Sequence, residues 1–205
     1  MWINFTFTVK AKYCLATVFS TLNKRVKKQH IMIYFDNAAT TKPAGAVVRA
    51  VCDCMENNFG NPSSLHTLGL RAQQLVDAAR KNIANALGVT PEMIFFTSGA
   101  TESSNLAIRG AAGTYGRRKK RVITTTVEHS SVKEAFSRLE EEGFEVIRIS
   151  PRENGEFDPK DFIDAADENT CLVSMMLVNN ETGAVLPVKK VFTEIKRRNS
   201  EIITH

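Results

Sequence analysis

The chain has 205 residues, of which 43% are hydrophobic and 24% are charged, and this is enough to bury one good core. Six of the 27 basic residues and none of the 22 acidic residues lie in residues 1–31, so the rest of the chain is close to neutral. This balance argues against a nucleic-acid partner, because such a binder spreads basic residues over its fold. No run reaches the roughly 18 apolar residues of a transmembrane helix, so we expect no membrane insertion.

Residues 1–31 form an extension that differs from the rest of the chain. The segment is free of acid and ends in a basic cluster, which is typical of an organelle presequence, but it holds one Arg and has no clear amphipathic period. The alternative is an upstream stretch wrongly joined to a protein that starts at Met32. We favour this alternative, so residues 1–31 are expected not to be native to the protein.

Residues 32–90 are predicted to form a helix-rich segment. The stretch "AVVRAVCDCMENN" is a predicted helix, and "LRAQQLVDAARKNIANALG" is a second one that ends at Gly88. Loops rich in Asn, Gly, Pro and Ser precede each helix. The apolar stripe of the second helix consists of Leu70, Leu75, Val76, Ala79, Ile83 and Leu87.

The cysteines of the chain show no metal-binding pattern. They are Cys14, Cys52, Cys54 and Cys171, and no C-x-x-C pair or Cys/His spacing suited to zinc occurs. We therefore expect no metal site. Free thiols in a reducing cytosol are the simplest interpretation, so the sequence favours a cytoplasmic protein.

Residues 91–205 alternate between strand-like and helical patterns. The predicted strands are 93–97, 121–126, 144–149, 171–178 and 201–205, and the predicted helices are 101–112, 130–142, 159–166 and 187–198. Alternation of this kind predicts βαβ units in an α/β domain, whose mainly parallel sheet has helices on both faces. The run "CLVSMMLV" is almost continuously apolar, as expected for a central strand.

Polar clusters follow three of the predicted strands, at the point where each strand ends. Because the carboxyl ends of parallel strands meet at one edge of an open sheet, and ligands bind there, we expect these clusters to form one site. The clusters are "SGATES" (98–103), "VEHSS" (127–131) and "NNETG" (179–183).

The first cluster has the properties of a phosphate-binding turn. Gly99 and Ala100 keep side chains away from a ligand, and Thr101 lies at the start of the predicted helix, where unpaired N–H groups and the helix dipole favour an anion. Alternatively, Ser98 or Thr101 is only an N-cap. The sequence is neither a Walker P-loop nor a G-x-G-x-x-G turn. Next to such a turn, His129 is a candidate for ring stacking or proton transfer, and Asn180 becomes a candidate contact.

Five motifs in this order and spacing resemble the cysteine desulfurases, in the class V aminotransferase group of fold-type I pyridoxal-phosphate enzymes. The resemblance runs from about Met32 to His205. The motifs are "IYFDNAATT" (33–41), "FGNPSSLHTLG" (59–69), "FFTSGATESSNLAI" (95–108), "VEHSSV" (127–132) and "VSMMLVNNETGAVLPV" (173–188).

The resemblance implies a role for each candidate residue. Ala100 and Thr101, beside Gly99, match the residues that hold the phosphate of pyridoxal 5'-phosphate. His129 matches the histidine that stacks on the pyridine ring and helps in proton transfer, so it is the candidate catalytic residue. Asn180 matches the asparagine near the ring hydroxyl and the substrate carboxylate.

The implied reaction is the removal of sulfur from L-cysteine, which gives L-alanine and an enzyme-bound persulfide. Pyridoxal phosphate would act as the electron sink. The resemblance also implies a homodimer and a sulfur-acceptor protein, such as an iron–sulfur scaffold, so that the sulfur serves iron–sulfur cluster or thio-cofactor assembly.

Three central groups of the family do not match any residue of this chain. In the family an aspartate comes two residues after the histidine that matches His205, and the Schiff-base lysine and the nucleophilic cysteine follow later. We therefore expect an N-terminal fragment that is inactive alone. Two alternatives stay open: another class V pyridoxal-phosphate enzyme, such as a selenocysteine lyase or an aminotransferase, and a non-catalytic remnant or dimerisation module.

Overall fold

The computed structural model describes residues 33–205, and these residues fall into two compact units, 33–95 and Phe96–His205. The prediction for residues 1–31 lies outside the described residues. The unit 33–95 contains helices α1 (Gly45–Asn57) and α2 (Thr67–Leu87). Gly88 ends α2 in the left-handed conformation, with φ of 66°, and its N–H donates to the carbonyls of Ala84 and Asn85, as the sequence predicts.

None of the residues in the predicted apolar stripe of α2 is buried: three are exposed and three are half-buried. Leu70 and Leu75 are 54% and 45% exposed. The buried residues of α2 are instead small: Gly69, Ala72 and Ala84. Every residue of α1 is exposed or half-buried. The helices therefore form as the apolar spacing predicts, but the large apolar side chains of the two helices remain at least partly accessible.

The predicted strand at 93–97 is wrong. Pro91–Met93 form a 3-10 turn, and residues 94–97 belong to none of the strands of the described sheet. The Arg80 guanidinium donates to the carbonyl of Ile94, so this backbone acceptor is satisfied by a side chain instead of a neighbouring strand. The bulky apolar run therefore marks a connecting segment in which Ile94 alone is buried.

The unit Phe96–His205 is an α/β layer structure. Its helices are α3 (Ala100–Tyr115), α4 (Ser130–Glu141), α5 (Pro159–Ala165) and α6 (Val188–Arg198), and its strands are β1 (Arg121–Thr125), β2 (Glu145–Ile149), β3 (Thr170–Val173) and β4 (Ile203–Thr204). The strands pair in the order β2-β1-β3-β4, and all three pairings are parallel. The predicted α/β fold is confirmed, and the run at 171–178 does supply an inner strand.

Side chains alternate between two cores on the faces of this sheet. Val122 and Leu172 pack against α3 and α4, where Phe136 is fully buried. Ile123 and Val173, the next residues along, pack against α5 and α6. Alternate residues of a strand point to opposite faces, so helices on both faces are needed to cover strands that are apolar throughout.

The strand at 171–178 is shorter than predicted. Strand β3 ends at Val173. The next two residues still bond to the neighbouring chain segments, because the Ser174 N–H donates to the Ile123 carbonyl and the Met175 N–H donates to the His205 carbonyl. The chain then turns back on itself, and Val178 and Val185 form an isolated antiparallel bridge. This turn delivers the polar cluster at 179–183 directly beyond the sheet.

Candidate functional site

The carboxyl edge of the sheet carries the predicted polar clusters. The loop after β1 contains His129, and the loop after β3 contains Asn180. Helix α3 ends at the opposite, amino edge, where Gly116 lies against the ring of Phe144, the residue before β2. Because α3 also packs along α4 and β3, its first turn points toward the carboxyl edge.

The first turn of α3 presents backbone donors. Gly99 is the N-cap residue of α3 and has an extended φ of 171°. Because glycine has no side chain, the N-cap position itself offers no side-chain acceptor to the first turn of this helix. A Cβ atom built at Gly99 would meet no heavy atom of the described residues within 4 Å. Ala100 and Thr101 are exposed. Their N–H groups, like all those of a first helical turn, lack intrahelical acceptors and face an open approach.

The turn before α3 is held by Glu102. Its carboxylate accepts from the Ser98 N–H at 2.6 Å and from the Ser98 hydroxyl at 2.5 Å. These bonds, first that from the hydroxyl, lower the pKa of Glu102 from its ordinary value. The Thr97 hydroxyl lies 2.6 Å from that of Ser103. Side chains of the first helical turn are therefore bonded to the residues on the N-terminal side of Gly99, which restrains the backbone around it.

His129 caps helix α4 through its own side chain. Its Nδ1 accepts from the Ser131 N–H at 3.2 Å and lies 2.9 Å from the Ser131 hydroxyl. When Nδ1 accepts, the proton of the neutral ring lies on Nε2. The residue is exposed, and its cap holds Nδ1 while the proton of the neutral ring lies on Nε2.

The two asparagines of "NNETG" differ in environment. Asn179 is buried at 8% exposure, and its Oδ1 accepts from the N–H groups of Glu181 and Thr182 and from the Thr182 hydroxyl, at 2.8 to 3.0 Å. Asn180 is exposed. The first asparagine therefore shapes the loop, and the second lies on its surface, as a ligand contact would require.

Glu128 joins the loops after β1 and β3, and sequence reasoning missed it. Its Oε1 accepts from the Thr125 hydroxyl at 3.1 Å and from the Met176 N–H at 2.8 Å. Burial raises its pKa from the ordinary value, against the effect of these two bonds. The available signal was its place in the polar cluster at 127–131, which follows a predicted strand. The structure thus brings the loops of His129 and Asn180 side by side.

The sequence patterns also did not predict that His205 lies at the carboxyl edge of the sheet. Its Nδ1 lies 2.8 Å from the Ser174 hydroxyl, and desolvation lowers its pKa from the ordinary value. The imidazole is therefore neutral over a wider pH range than a free histidine.

An open parallel sheet with fixed polar loops at its carboxyl edge is the architecture of a small-ligand-binding α/β enzyme. The model of the aminotransferase class-V family matches residues 33–205. The chain belongs to this family, which confirms the resemblance seen in its motifs.

Curated relatives are cysteine desulfurases and their homologues. A NifS/IcsS protein homolog of Lactobacillus delbrueckii subsp. bulgaricus is 47% identical over 160 residues, covering 78% of this chain and 42% of that protein. The cysteine desulfurase IscS of Enterobacter sp. is 44% identical over 162 residues, covering 78% and 40%. This chain thus spans about 40% of the length of these relatives.

Solved structures show the same similarity. A NifS-like protein superposes with a TM-score of 0.81 at 38% identity, covering 84% of this chain and 47% of that one. SspA in complex with cysteine superposes with a TM-score of 0.78 at 35% identity, covering 84% and 49%. Within residues 33–205, no helix is long and apolar enough to cross a membrane.

Proposed function

We propose that this chain supplies the phosphate- and ring-binding part of a pyridoxal-phosphate site in a cysteine desulfurase. The observation that carries the proposal is the shared carboxyl edge, to which the first turn of α3, His129 and the loop of Asn180 all belong. Family membership and the relatives support the assignment. The division of the body into a segment 32–90 and a cofactor-binding domain 91–205 remains a prediction.

The residues present fit the phosphate of this cofactor. The open first turn of α3 offers the N–H groups of Ala100 and Thr101 and the Thr101 hydroxyl, and Gly99 leaves space in front of them. A helix N-terminus favours an anion through these donors and through its dipole. We propose that these three residues bind the phosphate.

His129 and Asn180 are proposed to contact the pyridine ring. The cap to Ser131 holds the imidazole in one orientation, as a stacking group needs, and leaves Nε2 able to hold or release a proton. Asn180 would donate or accept at the ring hydroxyl and at the substrate carboxylate. When bound, the cofactor supplies an electron sink for charge that develops on the substrate.

The proposed substrate is L-cysteine, whose sulfur would pass to a cysteine of the enzyme. Cys171 does not suit that role, because it is buried in β3 and desolvation raises the pKa of its thiol to about 11. We further propose a cytoplasmic homodimer that transfers its sulfur to an acceptor protein, such as an iron–sulfur scaffold. SspA, one of the similar structures, was solved in complex with cysteine.

A binding titration tests the proposal. Purified chain is titrated with pyridoxal 5'-phosphate and with pyridoxal, and only the phosphate ester is expected to bind. Thr101→Val keeps the shape of the side chain but removes its hydroxyl, so we expect affinity to fall about tenfold, the value of one hydrogen bond to a charged group. Thr114→Val is the matched control, because Thr114 is an exposed residue of the same helix.

Equal affinity of the two variants would contradict the phosphate assignment. Equal affinity for pyridoxal and its phosphate ester would contradict it as well, because the first turn of α3 would then contribute nothing. A spectroscopic titration of the cofactor absorbance provides both values.

The exposed apolar side chains of unit 33–95 favour a second candidate function, that of a dimerisation module. Leu65 and Phe35 are 105% and 92% exposed, and α2 exposes Leu70 and Leu75. Exposed apolar side chains that form a contiguous patch are typical of a surface that another chain covers. Light scattering after size-exclusion chromatography separates the candidates, because a defined dimer without cofactor affinity would favour the module.

A further inference from the structure

The loops after β1 and β3 exchange two hydrogen bonds. The Met176 N–H, in the loop after β3, donates to Oε1 of Glu128 at 2.8 Å. The Asn179 amide, from the same loop, donates to the carbonyl of Val127 at 3.1 Å. Each loop thus contributes one side chain and one backbone group. We refer to Glu128, Asn179 and their partners Val127 and Met176 as the interloop clamp.

Both side chains of the interloop clamp are buried. Glu128 is 5% exposed and Asn179 is 8% exposed. Burying a carboxylate is costly unless it is hydrogen-bonded, and Oε1 of Glu128 accepts both the Met176 N–H and the Thr125 hydroxyl. An apolar residue at position 128 would avoid this cost but could not accept these two hydrogen bonds. The bonds are therefore the feature of Glu128 that calls for a function.

The clamp residues directly precede the two exposed candidates of the site. Glu128 is followed by His129, and Asn179 is followed by Asn180. A bond that fixes one residue of a loop limits the positions open to the next residue, since only two backbone torsions separate them. The clamp therefore sets the distance between the imidazole of His129 and the amide of Asn180.

We propose that Glu128 and Asn179 are positioning residues of the cofactor site, which act by holding His129 and Asn180 at a fixed separation. This inference rests on the proposed function. Neither side chain needs to touch the cofactor. A ring held between a stacking group and a hydrogen-bonding group tolerates little change in their spacing, so a loosened clamp lowers affinity without removing a ligand contact.

Three variants of the full chain test the interloop clamp. Glu128→Ala removes the acceptor, whereas Glu128→Gln keeps an acceptor oxygen at Oε1. Asn179→Asp keeps Oδ1 for the loop amides but loses the donor to Val127. Matched controls are Glu134→Ala, an exposed residue of α4, and Asn199→Asp, whose Oδ1 accepts from the Glu201 N–H in the loop before β4. Circular dichroism melts confirm that each variant folds.

The first measurement is amide hydrogen exchange at Met176. Glu128→Ala removes its acceptor, so exchange is expected to speed up about tenfold. Asn179 makes no bond to this N–H, although its Nδ2 lies 3.5 Å from Sδ of Met176, and the same acceleration is expected if the clamp acts as one unit. Glu128→Gln and both controls should stay within about twofold of wild type. Unchanged exchange at Met176 in Asn179→Asp would overturn the clamp as a unit.

The second measurement is the dissociation constant for pyridoxal 5'-phosphate. Glu128→Ala and Asn179→Asp are expected to raise it about tenfold, with rescue by Glu128→Gln. Wild-type affinity in both variants overturns the positioning role. If the wild-type chain does not bind the phosphate ester, the proposed function fails and the positioning role fails with it, while the exchange data still decide whether the clamp exists.

Discussion

Phe136 is the residue through which α4, the helix that begins after His129, is anchored to the sheet. Its side chain is 0% exposed and packs in one cluster with Ile108 of α3 and Leu172 of β3. Truncation to alanine removes the buried ring and leaves a cavity, which costs about 3–5 kcal/mol in well-packed cores. Since whole domains have only about 5–15 kcal/mol of stability, Phe136→Ala should remove a large part of it.

The assay is urea and thermal denaturation followed by circular dichroism. For a chain of this size, the expected loss corresponds to a fall in Tm of about 10 °C. Leu106→Ala is the matched control, because Leu106 is 59% exposed on α3, and its effect should stay within about 0.5 kcal/mol. A loss below about 1 kcal/mol in Phe136→Ala, or a loss equal to that of Leu106→Ala, would refute the packing described for this face.

Two further predictions concern backbone conformation and pH. Gly88→Ala forces a side chain into a left-handed φ of 66°, so we expect a loss of about 1 kcal/mol in urea melts. Gly113→Ala, inside α3 with open space around its Cβ, should be neutral or stabilising; equal losses would argue against strain. Burial lowers the pKa of His205, so the unfolded chain binds more protons at pH values between that lowered pKa and about 6.5. Stability should therefore fall as the pH drops through 6.5, and His205→Asn should weaken this dependence; an unchanged pH profile would contradict it.

Elements defined by local chemistry could be predicted closely. The sequence predicts a helix at 130–142, and α4 spans Ser130–Glu141, because its apolar residues follow one helical face and Gly143 adopts a positive φ of 83°. The prediction of a strand at 93–97 failed. A strand forms only where a neighbouring strand pairs with its backbone, and the composition of a segment does not show whether such a partner exists. The donor to Ile94 is Arg80, 14 residues away, which no local pattern contains.

The candidate site was likewise predictable where local motifs define it and not where it depends on contacts between distant segments. Gly99, Ala100, Thr101, His129 and Asn180 were named from motifs and from their places after apolar runs. Glu128 and Asn179 were not assigned roles, because their importance arises from the pairing of β1 with β3, which brings two distant loops together. Such pairing is a property of the folded sheet, and a single sequence does not display it.

The strand order β2-β1-β3-β4 has a consequence for where any ligand can enter. From β1 the chain moves to β2 through α4 on one face, and from β3 it moves to β4 through α6 on the other face. These connections depart in opposite directions, so β1 and β3 form the topological switch point of the sheet, where the interloop clamp joins the loops that follow the two strands. In open α/β sheets ligands bind beyond the carboxyl ends of the strands at such a point, so the strand order alone favours this edge for a ligand, whichever side chains the loops carry.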